Sequence, residues 1–231
     1  MIATVVVAHP DDETIFFGGT IRRLARAGVR VEVVCATSTF ASEGLTAIRR
    51  NEFRRACSVL GARARLLRVV DADGLLDETV LASELDRALV RPGRGPVLTH
   101  GVWGEYGHPH HIQVSLAVHR LTSRVWSLAG PFVTSMRLTL RPLELHAKRS
   151  LASAVYRSQP FAASWCSPVE SYSQWTVEEA AYLGSLALGV RVGDAAIRPL
   201  TLADGFPDVD CVPRSVWQSG HAERLRRLSS S

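Results

Sequence analysis

The stretch IATVVVAHPDDETIFFGG, residues 2–19, decides how the rest of the chain reads. Its first six residues, Ile2 to Val7, are mostly β-branched and read as a strand covered on both faces. The run then meets His9, Pro10, Asp11, Asp12 and Glu13 and returns at once to apolar residues. Charges that abut a core so abruptly need a partner. Pro10 biases His9 toward an extended backbone, and the acids fall at the start of a helix, where the backbone dipole favours negative charge. Taken alone, Asp11 to Glu13 read equally well as a plain helix N-cap.

Outward from this stretch, strand-like and helix-like segments alternate. A helix over Thr14–Ala27 stops at Gly28, VRVEVVCAT is a second strand, and a polar loop leads to a helix over Leu45–Leu60 that ends at Gly61. ARLLRVV is a third strand, Glu78–Val90 a helix closed by RPGRGP, and PVLTH a fourth strand. The helix HHIQVSLAVHRL turns Ile112, Leu116 and Val118 inward, and GPFVTSMRLTL is expected as a fifth strand. Helices are expected near LELHAKRSLASAVYRS and TVEEAAYLGSLAL, and the final serines are expected to be disordered. The pattern predicts an α/β fold with a Rossmann-like open, mainly parallel sheet and helices on both faces. In such a sheet, ligands bind outside the carboxyl ends of the strands. His9–Glu13 follows strand 1 and His100–His111 follows strand 4, so the two clusters can share one crevice.

At 231 residues the chain is expected to form a single domain, with a core over about 1–160 and a substrate-shaping extension over about 161–231. Hydrophobic and charged fractions of 46% and 21% are ordinary for a soluble globular protein, and no apolar stretch approaches the ~20 residues of a membrane span. MIATVVVAHP runs into strand-like sequence without a signal-peptide pattern, so a cytoplasmic location is expected. Cys35, Cys57, Cys166 and Cys211 have no C-x-x-C spacing, which predicts reduced, mostly buried thiols. The net charge is +5, yet 26 of the 27 basic residues are arginines spread along helix-like faces, without interleaved aromatics. Nothing there indicates a nucleic-acid partner. A homo-oligomer is compatible with this composition.

Four of the eight histidines fall in THGVWGEYGHPHH, residues 99–111. With HPDDE they offer the nitrogen and oxygen ligands that zinc or a similar divalent ion takes, and three protein ligands with one open position describe a catalytic site. The pairing of AHPDDE with a distal GHPxHxxV resembles the PIG-L/LmbE-type zinc-dependent N-deacetylases, which remove acyl groups from N-acetylglucosamine-containing and related amino sugars. IRRNEFRRACSVLGA is similar to the family's R-x-x-E helix, and KRSLASAVYRSQ to its later K-x-x-x-L…S-Q segment. The resemblance implies that His9, Asp12 and His111 bind the metal, zinc or alternatively Fe2+. Asp11 is then the general base, His108 stabilises charge on the carbonyl oxygen, and Tyr106 matches a mobile tyrosine position. One departure stands out: His110 occupies a place where the family usually has aspartate. The exchange either lowers the pKa of His108 and shifts the pH optimum, or makes His110 itself a ligand or substrate contact. His111 is the preferred ligand because its place in the motif matches.

Each of these residues has a plainer reading. His100 reads as a structural or outer partner, His119 and His146 as surface or core positions, and His221 as part of a solvated tail. Arg49 and Glu52 form either an i,i+3 helix pair or substrate contacts. Trp103 and Tyr106 either line the mouth of the pocket for a sugar or pack the loop. The leading function is a metal-dependent hydrolase acting on an N-acyl amino sugar, in bacterial natural-product or thiol-cofactor biosynthesis. The alternative is a catalytically impaired amino-sugar-binding protein of the same fold. A dinucleotide-dependent oxidoreductase does not fit: the strand 1 turn lacks G-x-G-x-x-G, and its carboxylates would repel a pyrophosphate.

Overall fold

A computed structural model of the chain describes residues 2–71, 73–89, 94–129 and 134–193. Strands β1 (Ile2–Val7), β2 (Arg30–Thr39), β3 (Arg63–Val70), β4 (Arg94–Thr99) and β5 (Val125–Leu128) run parallel. Two further strands, β6 (Met136–Thr139) and β7 (Val169–Ser173), extend the sheet in antiparallel fashion. The strand order is β3-β2-β1-β4-β5-β7-β6. Helices α1 (Asp12–Arg26), α2 (Glu43–Leu60), α3 (Glu78–Leu89), α4 (Pro109–Leu121), α5 (Pro142–Val155) and α6 (Val177–Gly193) complete the described elements.

Successive side chains on a strand point to opposite faces, and β1 divides accordingly. Val5 and Val7 pack with Phe17 and Ile21 of α1, Phe53 and Leu60 of α2 and Val155 of α5. Val6 and Ala8 pack on the other face with Leu81 and Leu85 of α3 and Val114 and Val118 of α4. A strand covered on both sides has no use for alternation, hence the unbroken apolar run. Helix α4 is buried from His110 to His119, with α6 packed against it and Gly184 of α6 beside the Leu116 side chain. The left-handed φ of 82° at Gly61 ends α2, and its N–H turns back to the Cys57 carbonyl.

From β1 the chain moves through β2 to β3 on one side, then returns to place β4 on the other side of β1. The order reverses between β1 and β4, and a crevice opens at the carboxyl ends of those two strands.

One expectation needs correction. The parallel strand beside β4 is Val125–Leu128, a run of 4 residues too short to show a periodicity. Within the segment expected as a fifth strand, residues 130–133 lie outside the described residues, and Met136–Thr139 is the antiparallel edge strand next to β7. Cys35, Cys57 and Cys166 are buried free thiols, while Cys211 and the serine tail lie outside the described residues. Among the described residues no helix is long and apolar enough to cross a membrane.

Candidate active site

Both loops at the crevice bend sharply to present their polar side chains. Asp11, the N-cap of α1, has φ 122° and makes no side-chain capping bond. A non-glycine residue held there costs on the order of 1–3 kcal/mol. The turn it makes leaves Asp11 lining the pocket, while the Asp12 carboxylate reaches back to accept the His9 N–H at 2.7 Å. In the second loop Glu105 also has positive φ, 53°, and its carboxylate folds back to accept the Gly101 N–H at 2.7 Å. Gly104, at φ 72°, lies so close to the His108 backbone that no side chain fits.

His9, Asp12 and His111 are brought together. His9 Nδ1 lies 3.2 Å from His111 Nε2 and 3.4 Å from Asp12 Oδ2, and His111 Nε2 lies 3.4 Å from the same oxygen. Donors bound at ~2.0–2.2 Å to one tetrahedral ion stand about 3.3–3.6 Å apart, so the triangle is close to the size a zinc ion requires. Burial opposes ionisation of Asp12, yet the facing His111, His100 and His9 rings hold its pKa well below the usual range. Burial brings His111 down to about 4. At neutral pH Asp12 and His111 therefore present a carboxylate and a neutral imidazole, the forms that could hold a metal.

Glu105 sets the tautomers. Its carboxylate accepts from Nδ1 of His111 and, at 3.0 Å, from Nδ1 of His100. The His111 proton is thereby fixed on Nδ1, leaving the Nε2 lone pair aimed into the triangle. His100 Nε2 accepts the Ala8 N–H at 2.9 Å, so this buried ring is an outer partner tying the end of β1 to the second loop. Burial would raise the Glu105 carboxyl, but the His100 and His111 rings bring it to about 2.

His110 turns away from the triangle. Its Nε2 donates to the Gly74 carbonyl at 3.0 Å, and its Nδ1 faces His9 Nε2 at 3.0 Å and Asp71 Oδ1 at 3.3 Å. Donor atoms of His9, Asp71 and His110 thus also lie close enough to share an ion, as do those of His9, His108 and His111 and those of Asp12, His100 and His111. His108, the N-cap of α4, accepts the His110 N–H on Nδ1, so the proton of its neutral ring sits on Nε2. Burial and the surrounding imidazoles push its pKa far below the usual histidine range. Burial and the Asp12 charge push the Asp11 carboxyl well up, with Arg49 opposing from 3.6 Å. Arg49 is 5% exposed; Nη2 donates to the Pro10 carbonyl at 2.7 Å, while Nε and Nη1 find no partner among the described residues.

The pocket over these groups has a volume of about 390 Å³, and Arg49, His108 and Tyr106 all line it. Three expected substrate contacts do not. Glu52 is not paired with Arg49 but accepts from the N–H and hydroxyl of Ser158, fastening the segment after α5. Trp103 is fully buried, edge to face with Trp175 and packed among Ile112, Leu116 and Leu183, because α6 covers that side of the loop. His110 lies behind His9 rather than in the pocket wall. Tyr106 does line the pocket, edge to face with Trp165 at 4.5 Å. Sequence reasoning missed Asp71, although its place just after β3 at the carboxyl edge was a usable signal. Glu105 was missed inside a quoted motif, and Phe161 and Trp165 have no local signature at all.

The fold and site define a class, an open α/β sheet with a cluster of histidines and carboxylates at its switch point whose donor atoms lie close enough to hold a metal ion. The chain belongs to the family described as PIG-L: GlcNAc-PI de-N-acetylase, whose model matches residues 4–122. The N-acetylglucosaminyl-phosphatidylinositol de-N-acetylase of Bos taurus is 30% identical over 125 residues, 51% of this chain and 49% of that protein. A 1D-myo-inositol 2-acetamido-2-deoxy-alpha-D-glucopyranoside deacetylase of Thermobifida fusca is 34% identical over 161 residues, 54% of each chain. The chain thus spans about half the length of these curated relatives. Among solved structures, the N,N'-diacetylchitobiose deacetylase from Pyrococcus horikoshii superposes with a TM-score of 0.59 at 19% identity, covering 76% of this chain and 84% of that one. The 4-carboxy-2-hydroxymuconate hydratase GalB of Pseudomonas putida does so with 0.56 at 17% identity, covering 86% and 92%. At such identities the likeness is one of fold, and the fold serves more than one chemistry.

Proposed function

We propose that the protein is a metal-dependent hydrolase that removes an N-acyl group, acetyl in the simplest case, from an N-acetylglucosamine-type or related amino sugar. The observation that carries this reading is the His9–Asp12–His111 triangle with the carboxylate of Asp11 beside it in the same pocket. A divalent ion held there, zinc in our reading, supplies a water whose pKa falls to about 7 and a Lewis acid for the amide carbonyl. Asp11 takes the proton of the attacking water, a task suited to a carboxyl whose pKa burial has raised. The Nε2–H of His108 donates to the carbonyl oxygen as charge develops on it. When the C–N bond breaks, Asp11 returns the proton to the departing nitrogen, and the products are a carboxylate and a free amino sugar. The unpartnered donors of Arg49 suit an oxygen-rich substrate.

The test is amine release over a panel of N-acetylated amino sugars, with metal analysis of the same preparation. Turnover that disappears on chelation and returns with zinc is expected. Stoichiometric sugar binding without amine release would replace this reading with that of a binding protein.

A further inference from the structure

His9 has two ring nitrogens, and the triangle with Asp12 and His111 uses only Nδ1. Its Nε2 faces a second set of donors, His110 Nδ1 at 3.0 Å and Asp71 Oδ1 at 3.6 Å, which themselves stand 3.3 Å apart. These spacings bracket the 3.2 to 3.4 Å of the inner triangle.

Hydrogens do not satisfy this second set. His110 commits its Nε2–H to the Gly74 carbonyl at 3.0 Å, so the neutral ring turns the lone pair of Nδ1 toward Asp71 and His9. Burial would raise the Asp71 carboxyl, yet the facing His110 and His9 rings hold it below the usual range, and as a carboxylate it too brings only lone pairs. When His9 gives its Nδ1 lone pair to the triangle, the single proton on Nε2 is left to serve two acceptors. A cation at the centre satisfies all three groups at once.

The set is also held in place before any ion arrives. The Asp71 N–H donates to the Thr39 carbonyl at 2.8 Å, which fixes it at the end of β3. Gln113 of α4 accepts the Leu76 N–H at 2.8 Å and donates to the Leu76 carbonyl at 3.1 Å, fastening the loop that carries Gly74 to the helix that carries His110. A ring N–H donated to a backbone carbonyl or carboxylate is the usual brace of a metal-ligating histidine. Gly74 does for His110 what Glu105 does for His111. His9 and His110 are only 8% and 4% exposed, whereas Asp71 lines the pocket, so an ion reaches the set from the pocket side.

We propose that His9 Nε2, His110 Nδ1 and the Asp71 carboxylate form a second site for a divalent cation of zinc's size, joined to the inner site through the His9 ring. As the outer ion takes the Nε2 lone pair, the N–H bond breaks and its proton passes to solvent, so His9 bridges the two ions as an imidazolate. That imidazolate and the carboxylates of Asp12 and Asp71 offset three of the four positive charges. Only the outer ion displaces a proton, so it binds more weakly and fills second. The proposal concerns metal binding alone and does not depend on which reaction the inner site performs.

Equilibrium dialysis of the full-length protein against rising Zn2+, followed by metal analysis, should give two equivalents per chain, the second being lost first to a chelator. His110→Phe and Asp71→Asn should each lose one equivalent and keep the other. Ions held at surface histidines are told apart by electron paramagnetic resonance. With Cu2+ in both sites the imidazolate bridge couples the two spins, so the signal falls well below that of two coppers, and Zn2+ in one site restores the full signal of the remaining copper. A single equivalent that His110→Phe leaves in place would overturn the proposal, as would two coppers at full, uncoupled intensity. If the variants fail to fold, the coupling in the wild-type protein decides alone. Two coupled ions in a protein that releases no amine would sink the hydrolase reading and leave the outer site standing.

Discussion

His9 Nδ1 stands 3.2 Å from His111 Nε2, although 102 positions separate them in the chain. The meeting follows from topology: β1 and β4 are parallel neighbours, so both following loops leave the same edge of the sheet. Removal of either His9 or Asp12 breaks a corner of the donor triangle. His9→Ala and Asp12→Ala should each lower zinc affinity by more than the ~10–100-fold that loss of an outer partner costs. Chelator competition followed by metal analysis measures it, and retention of tight binding by both variants would remove the triangle as the metal site.

Asp11 lines the pocket beside the triangle without belonging to it. Asp11→Asn should keep zinc at wild-type stoichiometry while kcat falls by about 10²–10⁴, the usual contribution of a general base. Metal content and amine release on one preparation separate the two effects, and full activity in this variant would reassign the base.

Glu105 orients His111 and His100 at once. Glu105→Gln preserves size but removes the charge that both Nδ1 protons face, and zinc affinity should drop ~10–100-fold. The Co2+-substituted protein should show an altered visible spectrum, which a general loss of stability would not produce.

Away from the pocket, Lys148 and Glu170 form a buried pair at 2.7 Å, and Glu170 also takes the N–H groups of Gly19 and Thr20. Lys148→Met strands that carboxylate among buried donors and should cost about 3–5 kcal/mol in urea unfolding. A second substitution, Glu170→Gln, should recover part of the loss, and an unchanged midpoint in the single variant would contradict the pairing.

His119, 2% exposed, donates from Nδ1 to the Ser115 carbonyl, and its Nε2 has no partner among the described residues. Burial lowers its pKa in the folded state. Above the unfolded value of about 6.5 neither state is protonated, so His119 adds no pH dependence there; below it the unfolded chain takes up the proton first and stability declines. His119→Leu should therefore flatten the fall in unfolding free energy between pH 7.5 and pH 5.5. An identical slope in both proteins would show that this ring does not contribute.

Local pattern made much of the molecule readable. The apolar run of β1, the glycine stops at Gly28 and Gly61 and the alternation through β4 are short-range signals, and they imply a parallel sheet whose edge gathers HPDDE and GHPHH. The short strands β5 and β7 escaped because 4 or 5 residues cannot establish a period.

What the sequence determined by itself was therefore the order of elements and which residue types arrive at the crevice, since periodicity, caps and motif spacing are encoded within a few neighbouring positions. Only the tertiary structure decided which way each side chain faces once there. Trp103 goes into the core because α6 covers it, Glu52 is claimed by Ser158, and His110 lies behind His9, while Phe161 and Trp165 come from a distant segment to form the pocket's outer wall. Those outcomes depend on backbone turns at Asp11, Gly104 and Glu105 and on contacts across more than a hundred residues, whose free energies exist only when the elements are packed together.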